Sequence, residues 1–524
     1  MSLQSFSSLC QPSTFSPSVH SAEILAIRAS VVTNFSASVP SNYRFVQPGI
    51  ELTDVTFCNV TVTYTHPGAN DSVTVESWLP PKQDWNERFQ GVGGGGFGVG
   101  RFDLSYTTMT GALGEGYATV TTDAGLSDQV IPTWSLSSPG HLNYPLLENF
   151  AHLSLYEAAV VGKQLVRSFY GKGPLYSYYN GCSQGGRQGL SLAQRYPTAY
   201  DGIAASAPAL YFSDLASTIY WPQQYMNNIG KYPHGCELDA IVLAAMSQCD
   251  NLDGVTDGLI SDVDECFSTF DPFQIVGQSF NCSQTGTIIT VSIDAARVVN
   301  ATWNGIETAN GKPIWYGYRP GADLSGDLDV FLSTGMVETN CTGDLCTGNP
   351  NYLGVVWFQQ FLAKDPNFNM SSMTYADFDR LVRLGEKEYS ALLETSDPDL
   401  SKFRDAGGKM VTFHGLADQF IPDQGTRRYY DSVIEELPDV HDFYRYFPVP
   451  GVGHCSSGRG GPPLDLFAQL RAWVENGTEP ESSPITFTDE SGVMQNRVVC
   501  PYPEKATYSV SCGDSAKADC WSCV

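Results

Sequence analysis

The chain has 524 residues and a formal net charge of −27. Such a charge disfavours nucleic acid and anionic membranes as partners, because long-range repulsion opposes their approach. With 42% hydrophobic and 16% charged residues, the composition excludes a disordered chain, and the length predicts a large main domain with a substantial insertion.

The first predicted elements are β-strands. Residues 58–64 (CNVTVTY) and 72–78 (SVTVESW) alternate β-branched and other side chains around the turn-like HPGAND, so they predict a hairpin. ERFQGV then predicts a short strand that runs into glycines, and GYATVTTDAG predicts another strand that ends in a turn.

Helices and strands alternate further along the chain. Apolar residues recur at helical spacing from Asn149 to Tyr170, and 187–196 is a second predicted helix. Between and after them, 175–180 and DGIAASAP (201–208) predict buried strands. This alternation is typical of a mostly parallel sheet with helices on both faces.

An insertion is predicted over residues 209–400, where the chain becomes rich in aromatic residues, Asn, Gly, Asp and clustered cysteines. The α/β pattern resumes with strands within 407–422 and 442–455 and with an amphipathic helix over 464–477 that Gly477 ends. We therefore expect residues 1–208 and 401–524 to form two parts of one domain and 209–400 to form a lid.

A nucleophile elbow is predicted within YNGCSQGGRQG (179–189). A nucleophilic serine on a sharp strand-to-helix turn needs small neighbours two residues away on each side, and Gly181 and Gly185 flank Ser183 in that way. The pattern alone is weak and also fits a chance turn, but a predicted strand precedes it and a predicted helix follows it.

A serine nucleophile needs a base and a residue that orients the base. In the order Ser, Asp, His, the candidate acid is Asp418, after a late strand, and the candidate base is His454, on a glycine-rich loop. His414 is the alternative base and Asp423 the alternative acid; for Asp418 a structural role as a loop carboxylate or helix cap also stays open.

The glycine run 93–96 follows an early strand, where backbone N–H groups can converge on a developing oxyanion. We expect Gly94 and Gln184 to supply the two donors. A phosphate-binding loop is the rival interpretation, but no Gly-Lys-Ser/Thr ending follows.

Cys182 and Cys455 each adjoin one member of this predicted pair of nucleophile and base. If Ser183 and His454 meet, the two cysteines are also close, and a disulfide between them would hold the nucleophile and the base in register. In the chain-entropy model, closing a loop of this length stabilises the fold by about 5 to 6 kcal/mol.

Fourteen cysteines favour disulfides over a zinc site, since the CxxC at Cys520 and Cys523 has no second ligand pair. The start MSLQSFSSLC does not resemble a signal peptide, and no apolar run reaches the length of a membrane span. The cysteines nevertheless point to secretion, as do eight N-glycosylation sequons, at Asn34, Asn59, Asn70, Asn281, Asn300, Asn340, Asn369 and Asn476.

The Cys182-Ser183, Asp418 and His454-Cys455 combination resembles the CS-D-HC motif of the fungal tannase and feruloyl esterase family. Further segments carry the same resemblance: CNVTVTYTHPG, GVGGGGF, DGIAASAPA, CELDAI, CDNLDGVTDG and AWVENG. It implies an α/β-hydrolase fold with a large inserted lid, and a secreted enzyme that cleaves esters through an acyl-serine.

The resemblance implies hydroxycinnamate or gallate esters as substrates. We expect a feruloyl esterase acting on plant cell-wall esters, with tannase as the alternative and a non-catalytic glycoprotein on a hydrolase scaffold as a remote one. The expected partner is a small-molecule or polysaccharide-linked phenolic ester, bound by a monomer or homodimer. Lid aromatics are candidates to line the acyl pocket: Tyr220, Trp221, Tyr225, Trp315 and Trp357.

The resemblance also implies a structural calcium in the lid, with Asp250, Asp253, Val255, Asp257 and Leu259 as ligands. Closely spaced carboxylates and carbonyls suit this ion, although by itself the run is typical of a solvated acidic turn. Family analogy and proximity further suggest disulfides between Cys10 and Cys58, Cys236 and Cys282, Cys249 and Cys266, Cys341 and Cys346, Cys500 and Cys523, and Cys512 and Cys520.

Overall fold

The computed structural model describes residues 3–328, 333–343 and 345–524. Within these ranges the strands are β1 (Glu23–Val39), β2 (Ile50–Thr65), β3 (Val73–Leu79), β4 (Arg88–Val92), β5 (Ala118–Thr122), β6 (Leu136–Ser138), β7 (His141–Leu142), β8 (Tyr176–Cys182), β9 (Gly202–Ser206), β10 (Ser279–Cys282), β11 (Thr287–Thr290), β12 (Thr339–Thr342), β13 (Leu345–Gly348), β14 (Lys409–Gly415), β15 (Tyr444–Val449), β16 (Ser483–Thr488), β17 (Met494–Val499), β18 (Ala506–Tyr508) and β19 (Trp521–Cys523).

The α-helices in the same ranges are α1 (Leu3–Leu9), α2 (Asp103–Gly114), α3 (Tyr144–Glu148), α4 (Ser154–Tyr170), α5 (Gln184–Arg195), α6 (Phe212–Ile229), α7 (Gly235–Cys249), α8 (Val263–Thr269), α9 (Ile293–Asn304), α10 (Tyr352–Val356), α11 (Tyr375–Leu393), α12 (Ser401–Asp405), α13 (Asp423–Glu436) and α14 (Leu466–Asn476).

One large mixed sheet forms the centre of the molecule, with strand order β1-β2-β3-β5-β4-β8-β9-β14-β15. From β5 to β15 neighbouring strands are parallel, as the alternation of helices and strands predicts. The predicted hairpin is β2 and β3, which pair in antiparallel register from Cys58 with Leu79 to Tyr64 with Val73. The α/β class predicted from the sequence is confirmed.

The antiparallel edge of this sheet contains one strand more than the sequence predicts. β1, which was not predicted, spans 17 residues and pairs with β2 through register shifts that interrupt its ladder. Its side chains are exposed or half-buried along almost its whole length, so the strand lacks the apolar face that marks a buried strand in a sequence.

Helices cover both faces of the parallel part. On α4 the side chains of Leu155, Ala158, Val161 and Leu165 are buried at the predicted helical spacing, and the helix packs against β3 and β5. α5 packs against β8 and β9, and α14 against β9 and β14. These contacts bury the strands that carry the candidate catalytic residues.

The segment between β9 and β14 contributes no strand to the central sheet within the described residues; it consists of α6 to α12 and the small hairpins β10–β11 and β12–β13. Part of it has a hydrophobic core of its own, which includes Met226, Leu238, Ile241, Val299 and Trp303. α6 contributes to both cores, whereas α10 and α11 pack into the main core.

Seven disulfides join the same cysteine pairs as predicted: Cys10–Cys58, Cys182–Cys455, Cys236–Cys282, Cys249–Cys266, Cys341–Cys346, Cys500–Cys523 and Cys512–Cys520. The pairs at the C-terminus hold the hairpins β16–β17 and β18–β19. Among the described residues, no helix is long and apolar enough to span a bilayer.

Candidate active site

Ser183 lies on the turn between β8 and α5, with φ 64° and ψ −123°. A positive φ is strained for a residue with a side chain and persists where the surroundings enforce it. Here the Ser183 amide donates to the Ser206 carbonyl at 3.1 Å, and the Ser183 carbonyl accepts from Arg187 and Ala209. The backbone thus forms the sharp strand-to-helix turn predicted for a nucleophile elbow.

Glycines make this turn sterically possible. A Cβ at Gly181 would lie 2.7 Å from the Gly185 carbonyl carbon, and one at Gly186 would lie 2.3 Å from the Ser206 carbonyl oxygen. The helix after the turn therefore begins at Gln184, three residues before the predicted Arg187, because Gly185 and Gly186 belong to its first turn.

His454 and Asp418 form a hydrogen-bonded pair. His454 Nδ1 donates to Asp418 Oδ2 at 2.9 Å, which leaves Nε2 without a proton in the neutral ring and free to accept one. Asp418 Oδ1 accepts the amides of Phe420 and Ile421, both at 2.8 Å. Burial alone would raise the pKa of Asp418, but His454 and His414 outweigh it and hold that pKa well below its usual range.

Ser183 and His454 line one cavity, and the disulfide between Cys182 and Cys455 joins their chain neighbours, with Cα atoms 5.9 Å apart. Within the described chain, the Ser183 hydroxyl makes no hydrogen bond to His454. Catalytic hydrogen bonds are often long without substrate and tighten when substrate binds. The elements thus bring all three predicted triad residues to one place.

The two alternative residues are placed differently. His414 is fully buried in β14 and does not line the cavity, although its Nε2 lies 3.2 Å from Asp418 Oδ2. Asp423 begins α13 and pairs with Arg319 at 2.8 Å, whereas Asp418 is the carboxylate that binds His454 Nδ1.

The structure differs from the prediction at Gly94. Its N–H is donated to Gln188 Oε1 at 2.9 Å, because Gln188 on α5 reaches back to the glycine loop. Gly95, Gly96 and Gln184 line the cavity beside Ser183, whereas Gly94 is not part of that wall. The amide of Gly94 is therefore not free for a substrate oxygen.

The cavity has a volume of about 520 Å³, within the range of ligand sites. Its wall is mainly apolar, and none of the described residues that line it is Asp, Glu, Lys or Arg. The aromatic and aliphatic side chains are Phe45, Phe97, Phe102, Leu104, Val130, Ala209, Phe212, Leu215, Ala216, Ile219, Tyr352, Leu353, Phe420 and Ile421. Polar ones include Asn42, Tyr43, Gln129, Thr334 and Asn351.

The lid aromatics predicted for the acyl pocket do not line this cavity, since Tyr220, Trp221 and Trp357 are buried in the main core and Tyr225 and Trp315 lie outside the cavity wall. The aromatic wall comes instead from the segment before β2, the glycine loop, the starts of α6 and α10, and the loop after β14. A single sequence contains no signal that separates such wall residues from core aromatics.

The predicted calcium ligands lie in the loop after α7, which the Cys249–Cys266 disulfide closes. Asp250 accepts the amides of Asp257 and Gly258, whereas Asp253 Oδ2 and Asp257 Oδ2 are buried without a hydrogen bond. Arg497 is an ion-pair partner of both aspartates. Three carboxylates and one guanidinium leave two negative charges, so oxygen donors and charge both fit a divalent hard cation.

Carboxylate oxygens of Asp250, Asp253 and Asp257 do not all lie within 4.8 Å of one another. In the described ranges, only His234, Cys341 and Cys346 place three potential ligand atoms within 4.8 Å of one another. Both cysteines of that set form a disulfide, so they offer no thiolate to a metal.

Comparisons with known proteins agree with the geometry. The sequence profile of the family described as "Tannase and feruloyl esterase" matches residues 58–524. A "Probable feruloyl esterase" of Arthroderma benhamiae is 38% identical over 97% of this chain and 92% of its own length.

Solved structures show the same likeness. The tannin acyl hydrolase from Aspergillus niger superposes with a TM-score of 0.85 at 29% identity, covering 98% of this chain and 95% of that one. Feruloyl esterase B from Aspergillus oryzae superposes with a TM-score of 0.78 at 26% identity, covering 99% of this chain and all of the other. The chain belongs to the tannase and feruloyl esterase family and is a carboxylic ester hydrolase.

Proposed function

We propose that this protein is a secreted serine esterase that cleaves hydroxycinnamate esters of the plant cell wall, as a feruloyl esterase does, through an acyl-serine. The observation that carries the proposal is the meeting of Ser183, on its strained turn, with the Asp418–His454 pair at one apolar cavity.

In this mechanism Ser183 Oγ attacks the ester carbonyl while His454 Nε2 takes the hydroxyl proton. Asp418 fixes the His454 tautomer and stabilises the imidazolium. The peptide N–H groups of Gln184 and of the Gly95–Gly96 segment stabilise the tetrahedral oxyanion. His454 then returns the proton to the leaving alcohol, and a water activated by the same ring hydrolyses the acyl-serine.

The cavity wall favours the hydroxycinnamoyl group over gallate. A feruloyl ring has one hydroxyl and one methoxy group, whereas a galloyl ring has three hydroxyls, each of which needs a hydrogen-bond partner when buried. Five phenylalanines line the wall, and the lining residues within the described ranges carry no Asp, Glu, Lys or Arg. Burying the apolar ring and propenyl chain there supplies the binding energy.

Tannase activity is the second candidate. It is supported by the TM-score of 0.85 with the Aspergillus niger tannin acyl hydrolase, and the polar side chains Tyr43 and Asn351 at the cavity could bind ring hydroxyls. The remote alternative, a non-catalytic glycoprotein, requires that Ser183 be unreactive.

Turnover of methyl ferulate and methyl gallate tests the proposal. We expect kcat/KM for methyl ferulate to exceed that for methyl gallate by at least about tenfold, because unpaired hydroxyls of gallate cost binding energy. The reverse order would establish tannase, and Ser183→Ala should abolish both activities and labelling by a fluorophosphonate. Equal turnover by Ser183→Ala would remove Ser183 from the nucleophile role.

Secretion and glycosylation belong to the same proposal. Seven disulfides suit an oxidising compartment, and none of the eight sequon asparagines is buried.

A structural calcium held by Asp250, Asp253 and Asp257, with the carbonyls of Val255 and Leu259, would neutralise the acidic loop.

A further inference from the structure

A second imidazole contacts the carboxylate that orients His454. His414, near the end of β14, has no exposed surface. Its Nε2 lies 3.2 Å from Asp418 Oδ2 and 3.0 Å from the Ile421 carbonyl oxygen. Its Nδ1 lies 2.8 Å from Thr426 Oγ1, on α13. Both ring nitrogens of His414 therefore have partners inside the protein.

These partners determine where the proton of the ring resides. A carbonyl oxygen and a carboxylate oxygen can only accept hydrogen bonds, so Nε2 of His414 carries a hydrogen. The Thr426 hydroxyl can donate to Nδ1, which keeps the ring neutral with its proton on Nε2. Thr426 thus keeps the hydrogen of His414 on Nε2, which donates to the Ile421 carbonyl at 3.0 Å and lies 3.2 Å from Asp418 Oδ2.

Asp418 is in consequence surrounded by N–H groups. The amides of Phe420 and Ile421 bind Oδ1, while the two imidazoles lie on either side of Oδ2. The Ile421 residue is shared, because its N–H binds Asp418 and its C=O binds His414. The carboxylate therefore has little freedom to rotate away from His454.

We propose that His414 is a positioning residue of the esterase reaction, which holds Asp418 anionic and aligned on His454 while Thr426 fixes the His414 tautomer. The inference rests on the proposed serine mechanism. It assigns no substrate contact to His414, because the ring does not line the cavity. Loss of the His414 N–H should lower kcat and leave KM nearly unchanged.

The direction of the pH effect follows from charge. Without the polar N–H of His414 3.2 Å away, the Asp418 carboxylate presents more negative charge to His454, which stabilises the protonated and catalytically inactive base. The acid limb of the kcat/KM profile, which reports the base in the free enzyme, should then move to higher pH. A packing defect alone would lower stability without moving this limb.

Four variants test the inference. His414→Leu removes the N–H at similar volume, and His414→Gln returns an amide N–H near the Nε2 position. Thr426→Val removes the hydroxyl, and His441→Leu removes a histidine outside the site as a control. The readout is the pH dependence of the fluorophosphonate labelling rate of Ser183, together with kcat, KM and Tm. Labelling needs only an activated serine, so it separates this inference from the choice of ester substrate.

We expect His414→Leu and Thr426→Val to slow labelling by about five- to fiftyfold and to shift the acid limb upward by at least about half a pH unit. His414→Gln should recover most of the rate, and His441→Leu should match the wild type. The inference is overturned if His414→Leu keeps the wild-type limb, or if the Gln and Leu variants lose rate only in proportion to Tm.

Discussion

Gln419 and His454 are joined by a hydrogen bond in which Gln419 Oε1 accepts the backbone N–H of His454 at 2.9 Å. The preceding residue, Asp418, accepts from the side chain of the same histidine. One short turn after β14 therefore holds the candidate base at two points, its backbone and its ring. Gln419 has no place in the sequence motif, and no signal in the chain distinguishes it as a supporting residue.

Replacing Gln419 with Leu should lower kcat/KM by about fivefold. One net hydrogen bond contributes about 1 kcal/mol, and each 1.36 kcal/mol of transition-state stabilisation corresponds to about a factor of ten in rate. Steady-state kinetics with methyl ferulate measure the change. Gln469→Leu, on the distant helix α14, is the matched control, and equal losses in both variants would contradict a local role.

Removing the Cys182–Cys455 disulfide, by serine at both positions, should lower both Tm and kcat. The chain-entropy model assigns this crosslink about 5 to 6 kcal/mol, and the loop of His454 loses its covalent tie to the Ser183 turn. The matched control removes Cys341 and Cys346, which lie five residues apart in the hairpin β12–β13. A normal kcat in the folded Cys182/Cys455 variant would show that the tether does not align the site.

Chelation should destabilise the protein if the acidic loop holds calcium. Without the ion, three aspartates face one guanidinium and repel each other, so EDTA should lower Tm by several degrees and added Ca²⁺ should restore it. Asp257→Asn should reduce this response, while Asp405→Asn, on the exposed end of α12, should not. An identical Tm with and without EDTA would remove calcium from the proposal.

Stability should fall as pH rises toward 8 because of Asp214. Burial, together with Glu394 and Glu386, raises the pKa of Asp214 to about 8, and its Oδ1 is buried without a hydrogen bond. The unfolded chain ionises near pH 3.9, so this group favours the fold at low pH and that contribution is lost between about pH 4 and 8.

Asp214→Asn should therefore flatten the decrease in Tm between pH 5 and 8, since the amide needs no proton to stay neutral. The exposed Glu481→Gln is the control for a change of one charge. Because α6 also supplies Phe212 and Leu215 to the cavity, kcat/KM should be recorded over the same range. Parallel Tm curves for Asp214→Asn and the wild type would contradict the assignment.

The parallel half of the sheet could be predicted because buried strands and amphipathic helices leave strong periodic patterns, as on α4. β1 and the C-terminal hairpins could not, since half-exposed strands with mixed side chains lack such patterns.

The elbow, the Asp418–His454 pair and the Cys182–Cys455 bridge follow from motif and chain order. The donor at the glycine loop and the cavity aromatics depend on tertiary contacts, such as Gln188 binding Gly94, which no local pattern encodes.

The positions of Cys182 and Cys455 in the chain also determine when during synthesis their disulfide can form. Cys455 is made 273 residues after Cys182, a delay of roughly 15 to 50 seconds at ordinary elongation rates. During that interval six other cysteines emerge, at Cys236, Cys249, Cys266, Cys282, Cys341 and Cys346. Correct pairing of Cys182 therefore requires that the elbow fold early enough to shield this cysteine or that an isomerase repair its mispairing, and a chain truncated before residue 454 lacks the candidate base.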